Sequence, residues 1–180
     1  MKLKQAIISL SIPLMMWTVD SLHLKALANT VSLMSRDCVD TGGRHWNKIS
    51  QDVSVGRELY TAMLYMSSHY IDGFPNFTSA FTCKIRNAGK GPTPKTLKLV
   101  FGRSDADKAP ADPIVSVFLK GNKAGQIIVP AGEVKTVILD VANVNSVALE
   151  TACSSASENC PTVYFLEASL DMGSRNPGSR

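Results

Sequence analysis

Histidine and tryptophan are scarce in this chain, three and two residues among 180. Beyond the first 28 residues only His45 and His69 remain, and neither stands in a metal-ligand spacing. No Gly-x-Ser-x-Gly turn presents a nucleophile, and no Cys-x-x-Cys pair is there to hold zinc. No run of Lys and Arg interleaves with aromatics in the way a nucleic-acid groove requires, so DNA and RNA are set aside as partners. Glu133, Glu150, Glu158 and Glu167 could supply a glycosidase pair, but no pattern sets two of them across one cleft. Also lacking, from about Ser50 onward, is any long amphipathic helical period.

What is present begins with a leader. Lys2 and Lys4 precede the apolar stretch AIISLSIPLMMWTV, and Ala26-Leu27-Ala28 offers small residues where a signal peptidase reads. Residues 1–28 are therefore expected to be an export signal of bacterial type, cleaved or kept as an anchor. Cleavage would leave a periplasmic or extracellular chain with no membrane span. Lys2, Lys4, Lys25 and Asp20 leave with that segment, so the remainder carries 16 basic against 14 acidic residues and is nearly neutral. Its four cysteines, Cys38, Cys83, Cys153 and Cys160, are an even number in an exported chain, which predicts disulfides. Cys153 and Cys160, separated by SSASEN, suit a staple across an interstrand loop, leaving Cys38 for Cys83; four cysteines permit three pairings.

The rest of the chain reads as short strands separated by turn residues. Residues 29–52 form an N-terminal loop-rich segment, in which SRDCVDTGGRHWNKI turns tightly at Gly42-Gly43. Residues 53–171 form one β-sandwich domain, and 172–180 a disordered tail without an apolar face. RELYTAMLYMSSHYI is compatible with a helix through Leu59, Met63 and Met66, but Tyr60, Thr61, Tyr65 and Tyr70 tip it to strand. In KTLKLVFGRSDADKAPADPIVSVFLKG, two strands flank an acidic, proline-bearing loop; VKTVILDV, NVNSVALETAC and PTVYFLEASL continue the period of two. The spacing predicts an all-β antiparallel sandwich or jelly roll rather than a βαβ fold.

The order KTLKLVFG, RSDADKAPADP, IVSVFLKGN, VPAGEVKTVILDVANVNSVALET and VYFLEASL resembles the novel carbohydrate-binding module found beside glycoside hydrolases of family 98. The matching positions are Leu97, Leu99, Gly102, Asp105, Val117, Gly121, Leu139, Val141, Val144, Val147, Leu149, Ala168 and Leu170, over about residues 78–170. The resemblance implies a galactose-binding-like jelly roll and a secreted, non-catalytic module for a glycan or extracellular polysaccharide. It also makes Asp105 and Asp107 candidate ligands of a structural calcium ion, against a solvated loop that lacks a full donor set. No other cofactor is expected.

Sugar recognition needs an aromatic face and polar groups for hydroxyls. The segments best supplied with both are Trp46 beside Arg44, His45 and Asn47, and the HYIDGFPNF stretch, giving Trp46, His69, Tyr70, Asp72, Phe74 and Asn76 as candidate ligand residues. The competing role for Trp46 and Phe74 is to plug the ends of the sandwich. An extracellular or envelope protein-interaction role is the alternative function, and a small secreted hydrolase the third.

Overall fold

A computed structural model describes residues 29–43, 45–67, 78–86, 93–154 and 160–173. Strands β1 (Thr30–Ser32), β2 (Asp37–Gly42), β3 (Trp46–Val55), β4 (Glu58–Met66), β5 (Ser79–Lys84) and β6 (Thr96–Arg103) come first. They are followed by β7 (Pro113–Leu119), β8 (Asn122–Ile128), β9 (Val134–Asp140), β10 (Ser146–Cys153) and β11 (Val163–Asp171). Among the described residues, helical structure is confined to a 3-10 turn at Leu33–Ser35. All pairings are antiparallel and form two sheets. One runs β3-β4-β11-β6-β9, with β1 beside the end of β11, and the other runs β2-β5-β10-β7-β8. The expected antiparallel sandwich is present.

Alternation builds the core. Leu97, Leu99 and Phe101 of β6 and Val163 and Phe165 of β11 meet Phe81, Val115, Val117, Val147 and Leu149 from the other sheet. Phe101 and Phe165 lie 5.2 Å apart between ring centroids, a separation typical of tilted aromatic pairs. The register of β11 shifts between Phe165 and Glu167, which resets the period so that Ala168 and Leu170 also face inward. β6 and β7, adjacent in sequence, belong to different sheets, and so do β8 and β9. The acidic loop and the Pro130-Ala131-Gly132 turn therefore cross the sandwich instead of closing hairpins.

RELYTAMLYM forms β4, with Ala62, Leu64 and Met66 buried on alternate positions. The segment from Ser35 to Ile49, expected as loop, is largely strand. Its pattern conceals this because β2 turns only Cys38 toward the core while Val39 is 61% exposed. The ladder to β5 and the disulfide from Cys38 to Cys83 hold the strand in place of an apolar face.

β3 and β4 do more than extend their sheet. A register shift between Lys48 and Gln51 bends the pair, and Val53, Val55 and Ala62 then form a second, smaller cluster with Tyr60, Val134, Tyr164 and Leu166. Tyr164 and Leu166 alternate with core-facing Val163 and Phe165, so this cluster lies on the outer face of the sheet. The hairpin folds back over that face, and its two-residue turn has both Gly56 and Arg57 at positive φ, 63° and 69°. That is the twist a tight hairpin needs.

Candidate functional site

At one end of the sandwich lie the β2–β3 turn, the end of β4 and the start of β5, the acidic loop of residues 104–112, and the end of β10 and the start of β11, as the strand registers require. The acidic loop is built around Arg103, whose side chain is only 5% exposed. Arg103 Nη1 donates to Ala111 O (3.1 Å) and Asp112 Oδ1 (3.0 Å), and Nη2 to Ala109 O (2.8 Å) and Asp107 O (3.3 Å). A buried guanidinium thus takes up the carbonyls that a loop without sheet partners would leave unpaired. Asp112 is tied in turn to Ser154, through Asp112 N to Ser154 Oγ (3.1 Å) and Ser154 N to Asp112 O (3.0 Å).

Asp105 clasps the tip of the folded-back hairpin. Its carboxylate accepts from Ser54 Oγ (2.6 Å), Gly56 N (2.9 Å) and Arg57 N (2.8 Å), while its own N–H donates to Ser54 O at 2.8 Å. The Ser54 hydroxyl first, and then the Arg57 amide, hold its pKa below the ordinary 3.8 by favouring the charged form. Asp107 Oδ1 accepts from Ala109 N (3.0 Å) and Oδ2 from Thr162 N (3.3 Å). Both candidate calcium ligands are thus engaged with backbone amides. Among the described residues no group of three or more His, Cys, Asp or Glu side chains is arranged to hold a metal ion.

Trp46 occupies a different setting. It stacks at a tilt on core Phe81, 4.6 Å between centroids, and also lines an open pocket of about 560 Å³ with Asp40, Asn47 and Lys48. That volume lies within the range of small-ligand sites. Each polar neighbour is oriented by a hydrogen bond: Asn47 Nδ2 donates to Tyr65 Oη (2.8 Å), Lys48 Nζ to Met34 O (2.5 Å), and Asp40 Oδ1 accepts from Gly42 N (3.0 Å). A carboxylate, a primary amide and an ammonium each keep hydrogen-bonding capacity beyond one such bond.

His69, Tyr70, Asp72, Phe74 and Asn76 lie outside the described residues, as do the leader and the tail. Ser67, where the description stops before them, donates its N–H to His45 O at 2.9 Å, next to Trp46. Of the candidate ligand residues, the structure therefore places Trp46 alone. It adds Asp40 and Lys48, which sequence patterning does not single out, because Asp40 belongs to the other sheet and only the β2–β3 turn brings it to Trp46. Arg103 was equally hidden, since it opens the polar stretch RSDADKAPADP in the sequence but ends β6 in the structure. Both expected disulfides are formed, Cys38–Cys83 and Cys153–Cys160.

No family model and no curated protein matches the chain. Solved structures do match it. A family 51 carbohydrate-binding module from a Clostridium perfringens glycoside hydrolase of family 95, in complex with methyl-galactose, aligns over 78% of this chain and 99% of its own, with TM-score 0.61 and 14% identity. The second family 51 module of Clostridium perfringens ZmpB, with its INT domains, aligns over 78% of this chain and 31% of that one, with TM-score 0.60 and 13% identity. The M60 catalytic domain of ZmpB with both of its family 51 modules aligns at TM-score 0.61 and 12% identity, over 81% of this chain and 15% of that one. This chain thus spans a minor part of the two longer structures. At such identities the likeness is one of fold, the galactose-binding-like sandwich shared with carbohydrate-binding modules.

Proposed function

We propose that this chain is a non-catalytic carbohydrate-binding module, exported from the cell, that takes a glycan or extracellular polysaccharide against Trp46. The observation that carries the reading is the pocket in which an indole supported by the core stands beside Asp40, Asn47 and Lys48. A sugar ring offers an apolar C–H face and a rim of hydroxyls. The indole suits the first, and a carboxylate, an amide and an ammonium suit the second. Two disulfides among the described residues are consistent with an oxidising compartment, and the fold is one that sugar-binding modules use. The resemblance to modules found beside family 98 glycoside hydrolases points the same way.

A glycan array followed by calorimetry on the processed chain tests the proposal. Wild type is expected to bind at least one glycan, with Asn47→Ala and Lys48→Met each weakening binding about 10-fold, as loss of a hydrogen bond to a polar or charged group would. Binding that survives undiminished in both variants, or a wild type that binds no glycan at millimolar concentration, overturns it.

A further inference from the structure

The outer strand of a sheet exposes a row of unpaired N–H and C=O groups, and proteins commonly interrupt such edges with bulges or charges. The two sheets end on β3 and β9 and on β2 and β8, and among the described residues the three-residue β1 pairs with β11 alone. The ladder of β2 shifts between Asp40 and Gly42, and that of β3 between Lys48 and Gln51. The ladder of β8 shifts where Val117 and Phe118 oppose Gly125 and Lys123, leaving Ala124 extra. Of the four strands that end the sheets, β9 alone runs unbroken against its neighbour, from Thr96↔Asp140 to Gly102↔Val134; β1 is unbroken as well but only three residues long.

β9 also exposes one large apolar side chain at its centre, Ile138, opposite Lys98 of β6. Val137 and Leu139 reach inward to the core, while Thr136, Ile138 and Asp140 face out, with Ile138 64% exposed. The charges near its ends are engaged locally: Lys135 pairs with Glu133, and Asp140 Oδ1 accepts from Ala142 N at 2.8 Å. No charge guards the centre of the strand.

From this unguarded edge we propose that β9 pairs antiparallel with β9 of a second copy of the chain, about a two-fold axis at Ile138. An axis normal to the sheet keeps every residue on its own face, so opposed residues must both be outward or both inward. Centring on Ile138 covers that side chain with its counterpart and sets each Thr136 hydroxyl across from Asp140 of the second copy. Centring on Val137 instead would set Asp140 against Val134 and leave Thr136 against Ile138. A single strand pair is smaller than a standard stable interface, so the dimer forms reversibly with concentration.

β9 lies at the far edge of its sheet from β3, so the Trp46 pockets would stand at the two outer ends of one continuous sheet. If the glycan reading holds, the dimer is bivalent, and binding to a surface gains by avidity; the pairing itself does not depend on that reading.

Sedimentation of the processed chain across a concentration series tests the pairing. The wild type is expected to form a dimer that Ile138→Lys weakens by at least about 10-fold, through two lysines set against each other. Ile128→Lys on β8 is expected to leave the dimer unchanged. Ile138→Cys is expected to cross-link two copies, because directly opposed residues in an antiparallel pair stand within disulfide reach. A chain that stays monomeric at every concentration, or a dimer indifferent to Ile138→Lys, overturns the proposal. Glycan binding by that monomer would leave the Trp46 site standing.

Discussion

The acidic loop and the Trp46 pocket share one end of the sandwich, and both are rich in polar side chains, yet they use them in opposite ways. In the loop, Arg103, Asp105, Asp107 and Asp112 are turned onto the chain's own backbone and onto one another. In the pocket, among the described residues, Asp40, Asn47 and Lys48 are each held by a hydrogen bond and line an open space beside an indole. Density of charge in the sequence therefore marks the scaffold here. Polar groups with remaining capacity next to a supported aromatic mark the candidate site.

Each region carries its own disulfide, and removing these is expected to have the largest effects. Cys38–Cys83 closes a separation of 45 residues on the pocket side, and Cys153–Cys160 a separation of 7 beside the acidic loop. By loop-closure entropy, replacing both cysteines of the first pair with serine costs about 4 kcal/mol and of the second about 2 kcal/mol. Denaturant titration of the two double variants checks the order, and equal losses would show that loop length is not what matters.

Arg103→Met comes next. It removes the shared donor of the Asp107, Ala109 and Ala111 carbonyls, at about 3 kcal/mol, while the half-exposed Asp112 is left to solvent. Measured while folded, the variant should bind glycan as wild type does. A folded Arg103→Met chain that has lost glycan binding would break the contrast between loop and pocket.

Acid separates the regions more gently. Asp105 has its pKa lowered in the folded chain, so its contribution is complete above the ordinary value of 3.8 and is lost as pH falls through the lower folded value. Melting temperature should hold steady from about pH 7 to about pH 5 and decline below about pH 4, and Asp105→Asn should start lower and decline less. Glu167 adds a smaller part: desolvation, its largest influence, pushes the pKa up, but Lys98 and Ser169 together outweigh it and leave the pKa lowered. A Glu167→Gln control apportions the decline.

Calcium is expected to do least. With Asp105 and Asp107 engaged by amides, melting in chelator and in millimolar Ca²⁺ should coincide. A clear rise with Ca²⁺ would mean that the loop reorganises around an ion after all.

The strands after Val53 were legible because alternation is a local signal: Leu97, Leu99 and Phe101 point one way whatever they pair with. β2 was not legible, since a strand with Cys38 as its inward apolar side chain is held by partners rather than by its own pattern. Of the site, Trp46 and Asn47 could be picked out as an aromatic beside a polar group, whereas Asp40 and Lys48 could not.

By itself, then, the sequence determined the all-β class, the inward residues of most strands, and an even set of cysteines suited to two staples. These depend on a period of two and on residue chemistry within a few positions. Only the tertiary structure decided which sheet each strand joins, that β3 and β4 fold back under Asp105, that Arg103 is buried, and that Asp40 meets Trp46. Each of these depends on groups far apart in the chain or in different sheets, where no local period carries information.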